Sequence, residues 1–142
     1  MTDGDDANDG LTLSRIAIER LRREKYPFIR RRGFRKSINT LLLKRYNVDD
    51  KLGAFGLVPD GWFIEMHPAD MNWPLVTAIE IEDTNFISAS KMRRYVNLWE
   101  NLDFESVSLR VLVFDRYGDN ERELDLLNAW RCFRRSRQLM AA

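Results

Sequence analysis

The chain has 142 residues, 44% of them hydrophobic, with four Trp and eight Phe: the size of one domain, with enough apolar surface to fold. Net charge is +1, and the acidic opening MTDGDDANDG has no apolar stretch of the kind a secretory signal carries. No apolar run approaches the roughly 20 residues of a membrane span, and Cys132 as the only cysteine excludes an internal disulfide framework and a cysteine-rich zinc site, so the expectation is a cytoplasmic protein.

In chain order, residues 1–10 read as an acidic, disordered tail, and 11–142 as a single α/β domain. Thr12 is placed to cap a helix over about 13–25, with Leu13, Ile16, Ala17 and Leu21 on one face and Pro27 as its stop. FIRRRG (28–33) is a basic connector. A second helix is expected over about 34–46, striped by Phe34, Ile38, Leu41, Leu42 and Tyr46. Three strands follow: GAFGLV (53–58), then WFIEMH (62–67) after the Pro59-Asp60-Gly61 break, then VTAIEIE (76–82) after a loop holding Pro68 and Pro74. Ser88 or Ser90 caps a helix to about 102 with Met92, Tyr95, Trp99 and Leu102 facing inward. SLRVLVFD (108–115) is a buried strand. Asn120 with Glu123 resembles a capping box for a last helix that buries Leu124, Leu127, Trp130 and Phe133. The strand–helix–strand step implies a parallel pair, and the earlier strands can pair antiparallel, giving a mixed central sheet flanked by helices.

The small net charge averages over segregated charge. Residues 15–36 carry ten Arg or Lys against Glu19 and Glu24, and Arg131, Arg134, Arg135 and Arg137 form a second basic cluster. Such density attracts phosphate backbones, or else merely solvates helix faces.

Glu80 and Glu82 stand two apart in an apolar strand, so they share one face while Ile79 and Ile81 share the other. One reading is a half-solvated strand, apolar inward and polar outward. The other starts from the helix that follows: if both faces of the sheet are covered, buried glutamates need partners. A hairpin between the second and third strands brings Asp60 beside Glu80, and clustered carboxylates are what a hard divalent cation takes as ligands.

Pro59-Asp60, the twenty-residue step to Glu80, the Glu80-Ile81-Glu82 strand and the αβββαβ order of residues 34–115 together resemble the PD-(D/E)XK nuclease superfamily, with its restriction-endonuclease-like core. The resemblance implies a metal-dependent DNA endonuclease in which Asp60 and Glu80 hold Mg²⁺ or Mn²⁺. The family's lysine position falls on Glu82, which is a departure. Either Glu82 helps hold a second metal, or Lys91, near the start of the next helix, reaches back in its place. The family's further glutamate has no counterpart in residues 34–46, leaving Glu19 as the nearest substitute. Arg30, Arg31, Arg32, Arg35 and Lys36 are the expected DNA contacts. The alternative is a nuclease-like fold without catalysis that binds nucleic acid or protein; oligomeric state is open, a homodimer included.

The remaining reactive residues carry weaker expectations. His67 has no evident partner as a general base. Cys132 reads as a partly buried, inert thiol, and Trp62, Trp99 and Trp130 as core. Asp83 is expected to bind its own loop, Asp115 to end its strand near the sheet edge, and Glu65 to be exposed.

Overall fold

The computed structural model describes residues 9–30, 46–67, 70–82 and 86–141. The described elements are α1 (Asp9–Glu24), α2 (Val48–Ala54), β1 (Gly61–His67), β2 (Asp70–Glu82), α3 (Ala89–Phe104), β3 (Ser108–Asp115), β4 (Arg122–Glu123) and α4 (Leu126–Ala141). The strands form one mixed sheet in the order β1-β2-β3-β4. β1 and β2 are antiparallel, β2 and β3 parallel across the α3 crossover, and β3 and β4 antiparallel.

Period-two alternation divides the core between the two faces of this sheet. Trp62, Ile64, Val76, Ala78, Val111 and Val113 point to the side covered by Tyr95, Val96, Leu98 and Leu102 of α3 and by Leu124 and Leu126. Phe63, Ile79, Leu112 and Phe114 point the other way, onto Ile18 and Leu21 of α1 and onto Ile29. Helices on both faces were expected from the element order, and the sheet has them.

α1 buries Ser14, Ala17, Ile18 and Leu21, spaced for one helical face. Ile16, expected on that face, is 62% exposed. The helix begins at Asp9, inside the segment expected to be a tail; residues 1–8 lie outside the described residues. Beyond its end, Arg30 exchanges backbone hydrogen bonds of 2.6 and 2.8 Å with Trp62, extending the sheet at the β1 edge by a single bridge.

The expected strand at 53–58 is instead the end of a helix. Gly56 sits at φ +69°, in the left-handed region. Its N–H donates to the Gly53 carbonyl at 3.0 Å, and that of Leu57 to Leu52 at 2.9 Å. This pair of bonds is a Schellman motif, and its glycine sits at the position where a left-handed residue is required. Leu52 and Leu57 then pack together in the core. The three-strand run expected in αβββαβ is therefore two strands, and the first helix of that core, expected at 34–46, lies outside the described residues save Tyr46.

Two further boundaries differ. β2 begins at Asp70 rather than after Pro74, so the expected loop is mostly strand. Pro74 pairs with Met66 beside a register shift, and the β3 ladder starts only at Leu75, a place where a missing N–H is tolerated. Asn120 caps no helix: it lies at φ 56° in the β3–β4 turn, and its Nδ2 donates to Asp115. The cap of α4 is Asp125, whose Oδ1 accepts from the Asn128 N–H at 3.0 Å. Leu127, expected to be buried, is 44% exposed, while Leu126 is buried.

Candidate functional site

The β1–β2 register pairs Gly61 with Ile79, which sets Asp60 just beyond the ladder, next to Glu80. Gly61 permits this approach. A Cβ there would stand 2.8 Å from Ile29 Cγ2 and 3.1 Å from Ile18 Cδ1, closer than side chains ordinarily pack. Asp60 Oδ2 accepts the Ile81 N–H at 2.8 Å, so this carboxylate also closes the end of the hairpin.

Glu80 is 4% exposed, on the α3 side of the sheet. Its two oxygens have different donors. Lys91 Nζ donates to Oε1 at 2.8 Å, and the Tyr95 hydroxyl to Oε2 at 2.6 Å. Lys91 and Tyr95 are four apart on α3 and so share a face. The helix is started by Ser88, whose Oγ accepts the Lys91 N–H at 3.1 Å. Burial pushes the Glu80 carboxyl above its ordinary range, and the nearby Asp60 charge pushes the same way. The hydrogen bond and charge of Lys91, and the Tyr95 hydroxyl, oppose that shift. Burial and the Glu80 charge both push the Tyr95 hydroxyl upward.

Three residues singled out from sequence thus come together from three elements: Asp60 before β1, Glu80 in β2 and Lys91 in α3. Glu82 shares the face of Glu80, but it pairs with Arg122 of β4. Among the described residues no three Asp, Glu, His or Cys side chains gather as a metal-binding group. Glu19 belongs to α1, which packs on the opposite face of the sheet, and it pairs with Arg15 at 3.7 Å.

Of the expected DNA contacts, Arg30 is tied to Asp49 at 3.2 Å. Arg31, Arg32, Arg35 and Lys36 lie outside the described residues, as does Asp83. His67 ends β1, as it ends the strand expected over 62–67. Cys132 is exposed, not partly buried, because it faces away from the side of α4 that carries Trp130 and Phe133 onto the core. Trp62 is buried and donates from Nε1 to Asp49 at 2.7 Å, while Trp99 and Trp130 meet edge to face at 6.2 Å. Glu65 is partly covered and faces Arg110 at 3.7 Å.

Asp115 is taken up by its own turn. Its carboxylate accepts from the Tyr117 and Asp119 N–H groups and from Asn120, and the backbone bond from Asp119 is the chief cause of its lowered pKa.

The residue sequence reasoning missed is Tyr95. Its aromatic ring assigned it to the core, where it does lie, at 0% exposed. The signal for its second role was the four-residue step from Lys91, which aims both polar tips at one point on the sheet. No protein-family model matches the chain, and neither does any curated protein or solved structure at a significant level.

Proposed function

We propose that the chain is a metal-dependent phosphodiester hydrolase acting on DNA, with Asp60 and Glu80 as the cation ligands and Lys91 beside the reacting phosphate. The observation that carries this reading is the convergence of Asp60, Glu80 and Lys91 from three separate elements at one end of the sheet.

The donor set fits Mg²⁺ or Mn²⁺ rather than a cation that needs a closed protein cage. Mg²⁺ is commonly held by one or two carboxylates, with water and substrate phosphates completing its shell. Each oxygen of Glu80 accepts one hydrogen bond here, and a carboxylate oxygen has two acceptor positions. When bound, such a cation supplies Lewis-acid polarisation of the phosphate and lowers the pKa of water. The chain's own groups do the rest. The Ile81 N–H fixes Asp60. Tyr95 fixes Glu80. Lys91, about one-third exposed, reaches solvent from its place against Glu80, and so stands where a phosphate oxygen or an attacking water can accept its proton. Glu82 is left out of the ligand set because Arg122 holds it.

A second reading, a nuclease-like fold that binds without cleaving, has its own support. A carboxylate, a lysine and a buried tyrosine that satisfy one another also make a sufficient structural network.

Thermal denaturation with and without Mg²⁺ or Mn²⁺, alongside cleavage of plasmid, single-stranded and branched DNA, separates the two. Stabilisation by the cation, lost in Asp60→Ala and Glu80→Gln, together with cleavage that both variants abolish, is the expected result. A melting temperature indifferent to the cation in all three proteins, with no cleavage, overturns the hydrolase and leaves the binding module.

A further inference from the structure

Several surface cations elsewhere in the fold have acidic neighbours: Arg15 with Glu19, Arg20 with Glu24 and Asp119, Lys25 with Glu121, Lys51 with Glu105. Five arginines on α3 and α4 do not. Arg93, Arg94, Arg131, Arg134 and Arg135 are all exposed, and among the described residues none has a carboxylate within ion-pair distance. The cause is sequence. α4 contains no Asp or Glu, and α3 has none before Glu100.

The two helices pack so that these charges form one surface. The Arg93 guanidinium lies over the Phe133 ring at 4.7 Å, and that of Arg134 over Trp130 at 5.1 Å. Arg131, Arg134 and Arg135 follow the three- and four-residue spacing that puts them on one side of α4. Arg94 reaches back to the Gly56 carbonyl at 3.3 Å, in the segment leading to Asp60, and Lys91 begins the same run on α3. The strip therefore runs from the edge of the Asp60–Glu80 site across α3 and onto α4.

We infer that this α3–α4 strip is a sequence-independent docking track for the phosphate backbone of a nucleic acid, leading to the site. Like charges crowded without partners repel one another, and a polyanion relieves that repulsion. Beyond Lys91 the strip is all arginine, whose planar fork matches phosphate oxygens two at a time. Trp130 and Phe133 are packed against the core beneath their guanidinium groups, so they are not presented as the apolar wedge a membrane surface would need. Contacts to phosphate position a duplex without reading its bases. The inference shares its partner with the proposed hydrolase but does not require cleavage.

The test is fluorescence anisotropy of a labelled DNA duplex in EDTA over a range of salt. For the wild type, affinity should fall linearly with salt on logarithmic axes. In the triple variant Arg131→Gln, Arg134→Gln, Arg135→Gln, the slope should be flatter by up to about 3, near 0.9 for each phosphate that is no longer neutralised. Arg93→Gln with Arg94→Gln should flatten it by up to about 2. Arg15→Gln with Arg23→Gln, on α1, should leave it unchanged, and circular dichroism should show all variants folded. Slopes indifferent to both strip variants, or equally flattened by the α1 pair, overturn the track. So does capture by phosphatidylserine vesicles without duplex binding. Binding is read in EDTA, where no cation-dependent cleavage takes place, so a failed track and a failed hydrolase give different results.

Discussion

Glu80 is held by opposed forces: burial disfavours its charge, and Lys91 and Tyr95 favour it. The net effect is a pKa above the ordinary glutamate value, which fixes the sign of a pH dependence. Between the unfolded and the folded pKa, the native state binds the larger share of the proton, so stability falls as pH rises through that window. Glu80→Gln removes this titration and should gain on the wild type as pH rises from the ordinary glutamate range. Urea denaturation across pH reads this directly, and parallel wild-type and variant profiles would count against it. Tyr95→Phe should cost about 1–3 kcal/mol, the range for stranding one end of a buried hydrogen bond. The loss should be greater where Glu80 is ionised, and a double-mutant cycle with Glu80→Gln isolates that coupling. On the proposed hydrolase reading, the same raised pKa would make protons compete with the cation, so any Mg²⁺ stabilisation should grow with pH.

At the scale of elements, the site depends on where β1 starts. Gly61 lets that end of β1 lie against Ile29, 1% exposed, and Ile18, 0% exposed. Ile29 is β-branched and enclosed, so it has little room to give. Gly61→Ala should cost about 1–3 kcal/mol, as overpacking does. On the proposed hydrolase reading it should also weaken the Mg²⁺ response by moving Asp60, whereas Gly53→Ala, which meets nothing within 4 Å, should be far milder. Thermal melts of the two variants make the comparison; equal melting temperatures would remove the close-packing argument. The strand at 108–115, a buried apolar run with Val111 and Val113, was legible to the residue because burial and propensity agree there. GAFGLV was not. Its apolar content suits a strand, but its second glycine, five residues after Lys51, is what closes a helix. Propensity alone cannot choose between the two, and the choice is made by where Leu52 and Leu57 find a core. Asp60 beside Glu80 was legible because a hairpin register follows from chain alternation. The pairing of Glu82 with Arg122 was not, since it needs a two-residue strand that no pattern announces.

Across the whole molecule, one sheet serves two cores, and the candidate site sits where the sheet separates them. Glu80 faces α3 while Ile79 and Ile81 on either side of it face α1, so a polar network and an apolar layer are built on successive residues of one strand. Strands β2 and β3 carry both layers, and neither core has a wall of its own without them. The two cores should therefore melt together as one cooperative unit. The tryptophans make this measurable. Trp62, Trp99 and Trp130, three of the four tryptophans, lie in the α3–α4 core, whereas Ile18 is buried in the α1 core. Ile18→Val deletes a methylene remote from those indoles and should cost about 1 kcal/mol. If the sheet couples the cores, the tryptophan-fluorescence midpoint should fall by about 3–5 °C. The far-UV circular dichroism midpoint should fall with it by the same amount. An unchanged fluorescence midpoint alongside an earlier loss of helical signal would mean that α1 unfolds on its own, and that the Asp60–Glu80 site does not depend on the α1 core behind it.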